Sequence, residues 1–74
     1  MLQSEQSELP VQDEYLTPAE AGRLTRLTVS TLKDKRWKGT GPAFIKLSPG
    51  RGGRIRYPRS SVERWLSERA VEAA

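Results

Sequence analysis

The most numerous side chains able to do chemistry in this 74-residue chain are its thirteen Lys and Arg. Eleven Lys and Arg fall between Arg23 and Arg59, and Asp34 is the one acid among them. Residues 1–22 hold five acids and no base, and residues 60–74 hold three acids against two bases. The net charge of +4 thus conceals a basic centre between two acidic ends. Ordinary surfaces intersperse the two signs, so this segregation points to a polyanionic partner. Within the basic centre two groupings stand out. One is Ser30, Lys33, Lys35, Arg36 and Lys38; the other is Arg51, Arg54 and Arg56, set in and beside a glycine-rich stretch.

Other chemistries lack their residues. The chain has no cysteine and no histidine, which removes disulfides, zinc fingers, thiol nucleophiles and the commonest general base. Glu14, Glu20, Asp34 and Glu63 are dispersed carboxylates with ready uses as caps or ion pairs, so no acid–base pair is expected. No glycine-rich phosphate loop ends in Lys-Ser or Lys-Thr, and a single Arg-Gly-Gly is too short for an RNA-binding repeat. The expectation is a non-enzyme without cofactor or metal. Leu2, Leu9, Val11 and Leu16 are scattered among polar residues and form no leader, and no long apolar run follows. A cytoplasmic, nucleoid-associated protein with no membrane partner is expected.

Elements able to position the cations can be placed from caps and periodicity. Residues 1–14 show no sustained apolar period and read as a disordered acidic arm. Thr17-Pro18-Ala19-Glu20 carries a cap, a proline suited to the first helical position and a capping-box glutamate. With Leu16, Ala21 and Leu24 it predicts a helix over 18–24. Thr28 caps a second helix that Gly39 closes. On that helix Leu32 sets the inner face, with Val29, Lys35 and Arg36 close to it; Ser30, Lys33, Asp34 and Trp37 point outward. Trp37 is expected to pack at the helix end against the turn or wing. Ala43–Leu47 and Arg54–Tyr57 alternate as strands, with Ile45 and Leu47 on one face and Ile55 and Tyr57 inward. Ser48–Gly53 forms the loop between them, and Pro58 ends the second strand. Ser60 with Glu63 reads as a cap for a third helix over 61–70, with Val62, Trp65 and Leu66 inward and a frayed tail at 71–74. The fold class is α+β, mostly α: a small winged helix-turn-helix over residues 15–70 with a two-stranded wing.

In that arrangement the second helix enters a major groove with Ser30, Lys33 and Arg36 toward the bases. Thr28, chiefly a cap, stands where free helix N–H groups can hold a phosphate. Arg51, Arg54 and Arg56 suit the wing, because guanidinium groups fit a narrow minor groove and bind phosphate in bidentate fashion. Arg26, Lys35 and Lys38 are candidate phosphate contacts. Stacking of single strands on the aromatic residues is a weaker reading, since Tyr57 and Trp65 are needed for the core.

The segment from Tyr15 to about Arg69 resembles the MerR-like helix-turn-helix modules of phage and integrative-element excisionases and of AlpA-type regulators. The resemblance lies in Leu16-Thr17-Pro18-Ala19-Glu20-Ala21, Leu27-Thr28 with Thr31-Leu32, and Gly39-Thr40-Gly41-Pro42 with Phe44-Ile45-Lys46-Leu47. It continues through Arg54-Ile55-Arg56-Tyr57 and Val62-Glu63-Arg64-Trp65-Leu66. It implies a recombination directionality factor that binds repeated sites on attachment double-stranded DNA, bends it and assists a separate integrase. The alternative is a transcriptional regulator of excision or prophage genes; an RNA-binding or protein-interaction module is less favoured. Such a protein is expected to be a monomer when free and to self-associate cooperatively on tandem sites. Lys35 stands where the family commonly has a large aromatic, and Ser48–Gly53 is a longer wing loop than usual. Regulators of the full MerR type carry a coiled coil and an effector domain. With the chain ending at Ala74, small-molecule sensing is not expected.

Overall fold

The computed structural model describes residues 13–50 and 54–71. The expectations for residues 1–12, for the loop tip with Arg51, and for 72–74 lie outside the described residues. The element order is β1 (Tyr15–Leu16), α1 (Pro18–Thr25), α2 (Val29–Lys38), β2 (Ile45–Lys46), β3 (Ile55–Pro58) and α3 (Arg59–Glu68). Three helices and a small antiparallel sheet in the order β1-β3-β2 form a winged helix-turn-helix.

The helix starts follow local chemistry. Thr17 Oγ1 accepts the Glu20 N–H at 3.1 Å, and Glu20 Oε1 accepts the Thr17 N–H at 2.9 Å, closing the capping box. That backbone hydrogen bond from Thr17 is the main reason the Glu20 carboxyl is held below its usual range. Thr28 Oγ1 accepts the Thr31 N–H at 3.0 Å to open α2, and Gly39 closes it at φ 71°. Between the helices, Gly22 lets the backbone double back: a Cβ there would lie 2.6 Å from the Leu27 carbonyl oxygen. That close approach brings the Leu27 N–H to the Gly22 carbonyl at 3.0 Å.

Leu16, Ala21, Leu32, Ile55, Tyr57 and Val62 form the core, with Leu24, Leu27 and Leu66 packed on it. Trp65 is buried as expected, its Nε1–H donating to the Thr40 carbonyl at 3.0 Å. The Arg69 guanidinium lies over its ring at 4.1 Å.

Two features are added to the sequence reading and two expectations are corrected. First, the sheet has three strands, because Tyr15–Leu16 pairs with β3 through Tyr15↔Pro58 and Leu16↔Tyr57. Second, the hairpin register is Ile45↔Arg56 and Lys46↔Ile55. Directly paired residues share a face. Lys46 therefore lies on the inward side with Ile55, while Ile45 and Leu47 are exposed on the side of Arg54 and Arg56. Third, α3 starts at Arg59, and Pro58 in the cap position offers no side-chain bond. Ser60 is not its own helix's cap. The Ser60 N–H donates to Asp13 Oδ1 at 3.0 Å and its hydroxyl to Asp13 Oδ2 at 2.6 Å, so the cap comes from 47 residues away. Fourth, Asp13 and Glu14, placed in the arm by the sequence, are held on α3. Arg59 bridges Glu14 at 3.1 Å and Glu63 at 3.0 Å, and its N–H donates to the Glu14 carbonyl.

The bonds from the Ser60 hydroxyl and N–H hold the Asp13 carboxyl below its usual 3.8. A carboxyl lowered by folding contributes stability above its unfolded value and loses it as the pH falls through the folded one. Asp13→Ala is expected to melt at a lower temperature than the native chain at pH 7. The gap narrows as acid takes the pH below 3.8 and closes lower still. Thermal melts of both proteins across that range check it; a gap independent of pH contradicts a carboxylate cap.

Candidate nucleic-acid interface

The turn joining α1 to α2 is Arg26-Leu27-Thr28, the three-residue spacing of a helix-turn-helix. Arg26 takes the left-handed conformation at φ 66°, its N–H bonding back to the Gly22 carbonyl, and its side chain is exposed beside the turn. Leu32, fully buried, anchors α2 and fixes which side faces out. Ser30, Lys33, Asp34 and Trp37 all lie on the solvent side, as the helical phase requires. Thr28 is spent on capping: besides accepting the Thr31 N–H, its hydroxyl donates to Thr31 Oγ1 at 2.9 Å.

The remaining cations of α2 are engaged within the fold. Arg36 is half-buried; its Nη1 donates to the Tyr57 hydroxyl at 2.8 Å, and its guanidinium sits 5.8 Å from the Phe44 ring centroid. Lys35 turns the other way, with Nζ 5.9 Å over the Trp65 ring. Lys38 pairs with Asp34 at 3.1 Å. On the hairpin, Arg54 is exposed, whereas Arg56 is partly covered, its Nη1 bonded to the Ile55 carbonyl at 2.7 Å. The structure thus brings Ser30, Lys33 and Arg36 to one wall of a groove, leaves Arg54 on the outer face of the hairpin, and separates Lys35 from both.

That groove, about 680 Å³, runs between α2 and the hairpin. It is lined by Ser30, Lys33, Asp34, Arg36 and Trp37 on one side and by Phe44, Lys46 and Ile55 on the other. Trp37 does not pack down on the turn; it is 88% exposed along the groove, which corrects the expectation for it. Five groove residues were given no DNA contact from sequence: Asp34, Trp37, Phe44, Lys46 and Ile55. The helical phase already marked Trp37 as outward. Lys46 carried no such signal, because its face depends on the hairpin register.

A family model described as a helix-turn-helix domain matches residues 15–70. The chain belongs to this helix-turn-helix family, and it is a DNA-binding protein of that class. Comparison with characterised proteins and with solved structures gives no significant match. Among the described residues no helix is long and apolar enough to cross a membrane.

The contacts of Arg36 generate a prediction. Arg36→Ala removes a charged hydrogen bond and leaves the Tyr57 hydroxyl facing a gap, at a cost of about 1–2 kcal/mol in unfolding free energy. Lys33→Ala, on the exposed face, is expected to leave stability within about 0.5 kcal/mol of the native chain. Urea titrations of the two variants check the contrast.

Proposed function

We propose that this protein is an architectural DNA-binding factor of the excisionase type, a recombination directionality factor acting with a separate integrase. The observation that carries the reading is the adjacency of two unlike DNA-facing parts. The outward face of α2 presents Ser30 and Lys33, and a basic hairpin stands beside it across a cation-rimmed groove. In this reading the first turns of α2 enter a major groove and read base edges through Ser30 and Lys33. Arg54, with Arg51 in the loop tip, reaches the neighbouring minor groove and its phosphates. Arg36 holds the hairpin at the angle the two grooves require, while Arg26 and the N–H groups above Thr28 take flanking phosphates. Arg56, Lys35 and Lys38 contribute to the positive field more than to named contacts.

A module of this size reads a short segment, so specificity on attachment DNA needs several copies side by side. Asp13, Glu14 and Glu63 are engaged within the protomer. The neighbour contact is therefore assigned to residues 1–12 of one copy against the basic centre of the next, with the free protein monomeric. An AlpA-type transcriptional regulator would use the same DNA-facing surface and differs in needing no integrase.

Two outcomes test the reading. Arg51→Glu and Arg54→Glu are expected to weaken binding to all duplexes and to reduce the salt slope by about 1 for each phosphate no longer neutralised. Ser30→Ala and Lys33→Ala instead change which sequence is preferred, as measured by selection from a random duplex pool. If both pairs act alike on specific and random DNA, the division between helix and wing is wrong.

Gel shifts on one, two and three tandem sites are expected to show cooperative filling that disappears when residues 1–12 are deleted and Asp13 is kept. Recombination assays with the cognate integrase are expected to show excision dependent on this protein. Unchanged excision with altered transcription from the same DNA would identify the regulator instead.

A further inference from the structure

Trp37 is the large side chain of α2 that packing leaves unexplained. It is 88% exposed, and its helix is anchored through Leu32 without it. Single apolar groups in water are ordinary, but Trp37 is not alone. It shares the groove between α2 and the hairpin with Phe44 and Ile55, and that apolar floor is flanked by Lys33, Arg36 and Lys46. Among the described lining residues the one acid is Asp34, and Lys38 neutralises it at 3.1 Å.

An apolar floor between cationic rims matches the chemistry of a sugar-phosphate strand. Deoxyribose presents apolar C–H faces, and a phosphate follows on each side of every sugar. Placement agrees with chemistry. A helix in a major groove and a hairpin in the adjacent minor groove stand on opposite sides of one DNA strand, which must pass between them. In this fold the space between α2 and the hairpin is the groove just described. We infer that one strand of the duplex backbone runs through it, with the Trp37 indole packed on a deoxyribose and Lys46, from the hairpin side, on a phosphate beside that sugar. The inference rests on the helix-and-wing placement proposed above. It gives the clamp a sequence-independent grip, since every nucleotide carries the same sugar.

The test uses the full chain and a short random-sequence duplex. Trp37→Ala is expected to keep the native melting temperature and to lower duplex affinity about tenfold, the scale of one aromatic stacking interaction. Trp37→Phe retains most of the affinity, and Lys46→Gln flattens the salt dependence. The fluorescence difference between native protein and Trp37→Phe reports the indole, which becomes protected from acrylamide when the duplex is added. Unchanged affinity and unchanged quenching overturn the inference while the Ser30, Lys33 and Arg54 effects still stand. A defect confined to the second and third copies on tandem sites also overturns it and assigns Trp37 to a protein neighbour. A change in preferred sequence with random-duplex affinity intact overturns it too and assigns Trp37 to a base. Failure of the native chain to bind duplex overturns the helix-and-wing reading together with the inference.

Discussion

The hydrogen bond from Arg36 to the Tyr57 hydroxyl joins α2 to the hairpin, the two parts proposed to face DNA, and their relative placement depends on it. Tyr57 is fully buried at the centre of the sheet. Across one edge it pairs with Leu16, and on the other side its ring meets Phe44 at a centroid distance of 6.1 Å. The single polar atom of this side chain is the one that reaches α2. A buried phenol without a partner is costly, so helix and wing are held together by satisfaction of that group as well as by apolar packing. The Arg36 guanidinium, lying over Phe44, adds a second tie in the same place.

The distribution of charge follows from what the fold must do with its cations. Lys35, Arg36, Lys38 and Arg59 each have a structural partner: an aromatic ring, a phenol or a carboxylate. Exposed pairs such as Lys38 with Asp34 add little to stability. They do lower the local positive charge, leaving the groove-side cations to dominate the field on one side of α2. A basic sequence is thereby turned into a directional surface. The acidic ends are treated in a similar way, with Asp13 and Glu14 drawn onto the start of α3. That latch also ties β1, and so the edge of the sheet, to the helix that covers the core.

A domain this small has little apolar surface to bury, and short-range devices supply much of its definition. The close approach at Gly22 sets the angle between α1 and α2, and the left-handed Arg26 turns the chain into the second helix. Trp65 closes the bottom of the core by reaching the Thr40 carbonyl beyond the end of α2. These contacts make α2 a rigid platform although its own amphipathic stripe is thin.

What was legible in the sequence was local. The Thr17–Glu20 capping box, the Thr28 cap, the glycine stop at Gly39 and the outward face of Ser30, Lys33 and Trp37 involve partners within a few residues. Their geometry is set by helical phase and side-chain reach alone. The burial of Tyr57 and Trp65 was also legible, because a small core must use its few large side chains. Tertiary structure decided the rest. Whether Lys46 or Ile45 faces α2 turns on a one-residue choice of register that alternation leaves open, since shifting the pairing exchanges the two faces of a strand. The cap of α3 could not be read from Ser60 and Glu63, because its acceptor, Asp13, is brought there only when β1 pairs with β3. Helical phase puts Arg36 near the inner face and its charge suggests DNA; a phenol 21 residues away decides that it ties helix to hairpin. Partners distant in sequence meet only through the fold, and those are the contacts that join helix, wing and arm into one surface.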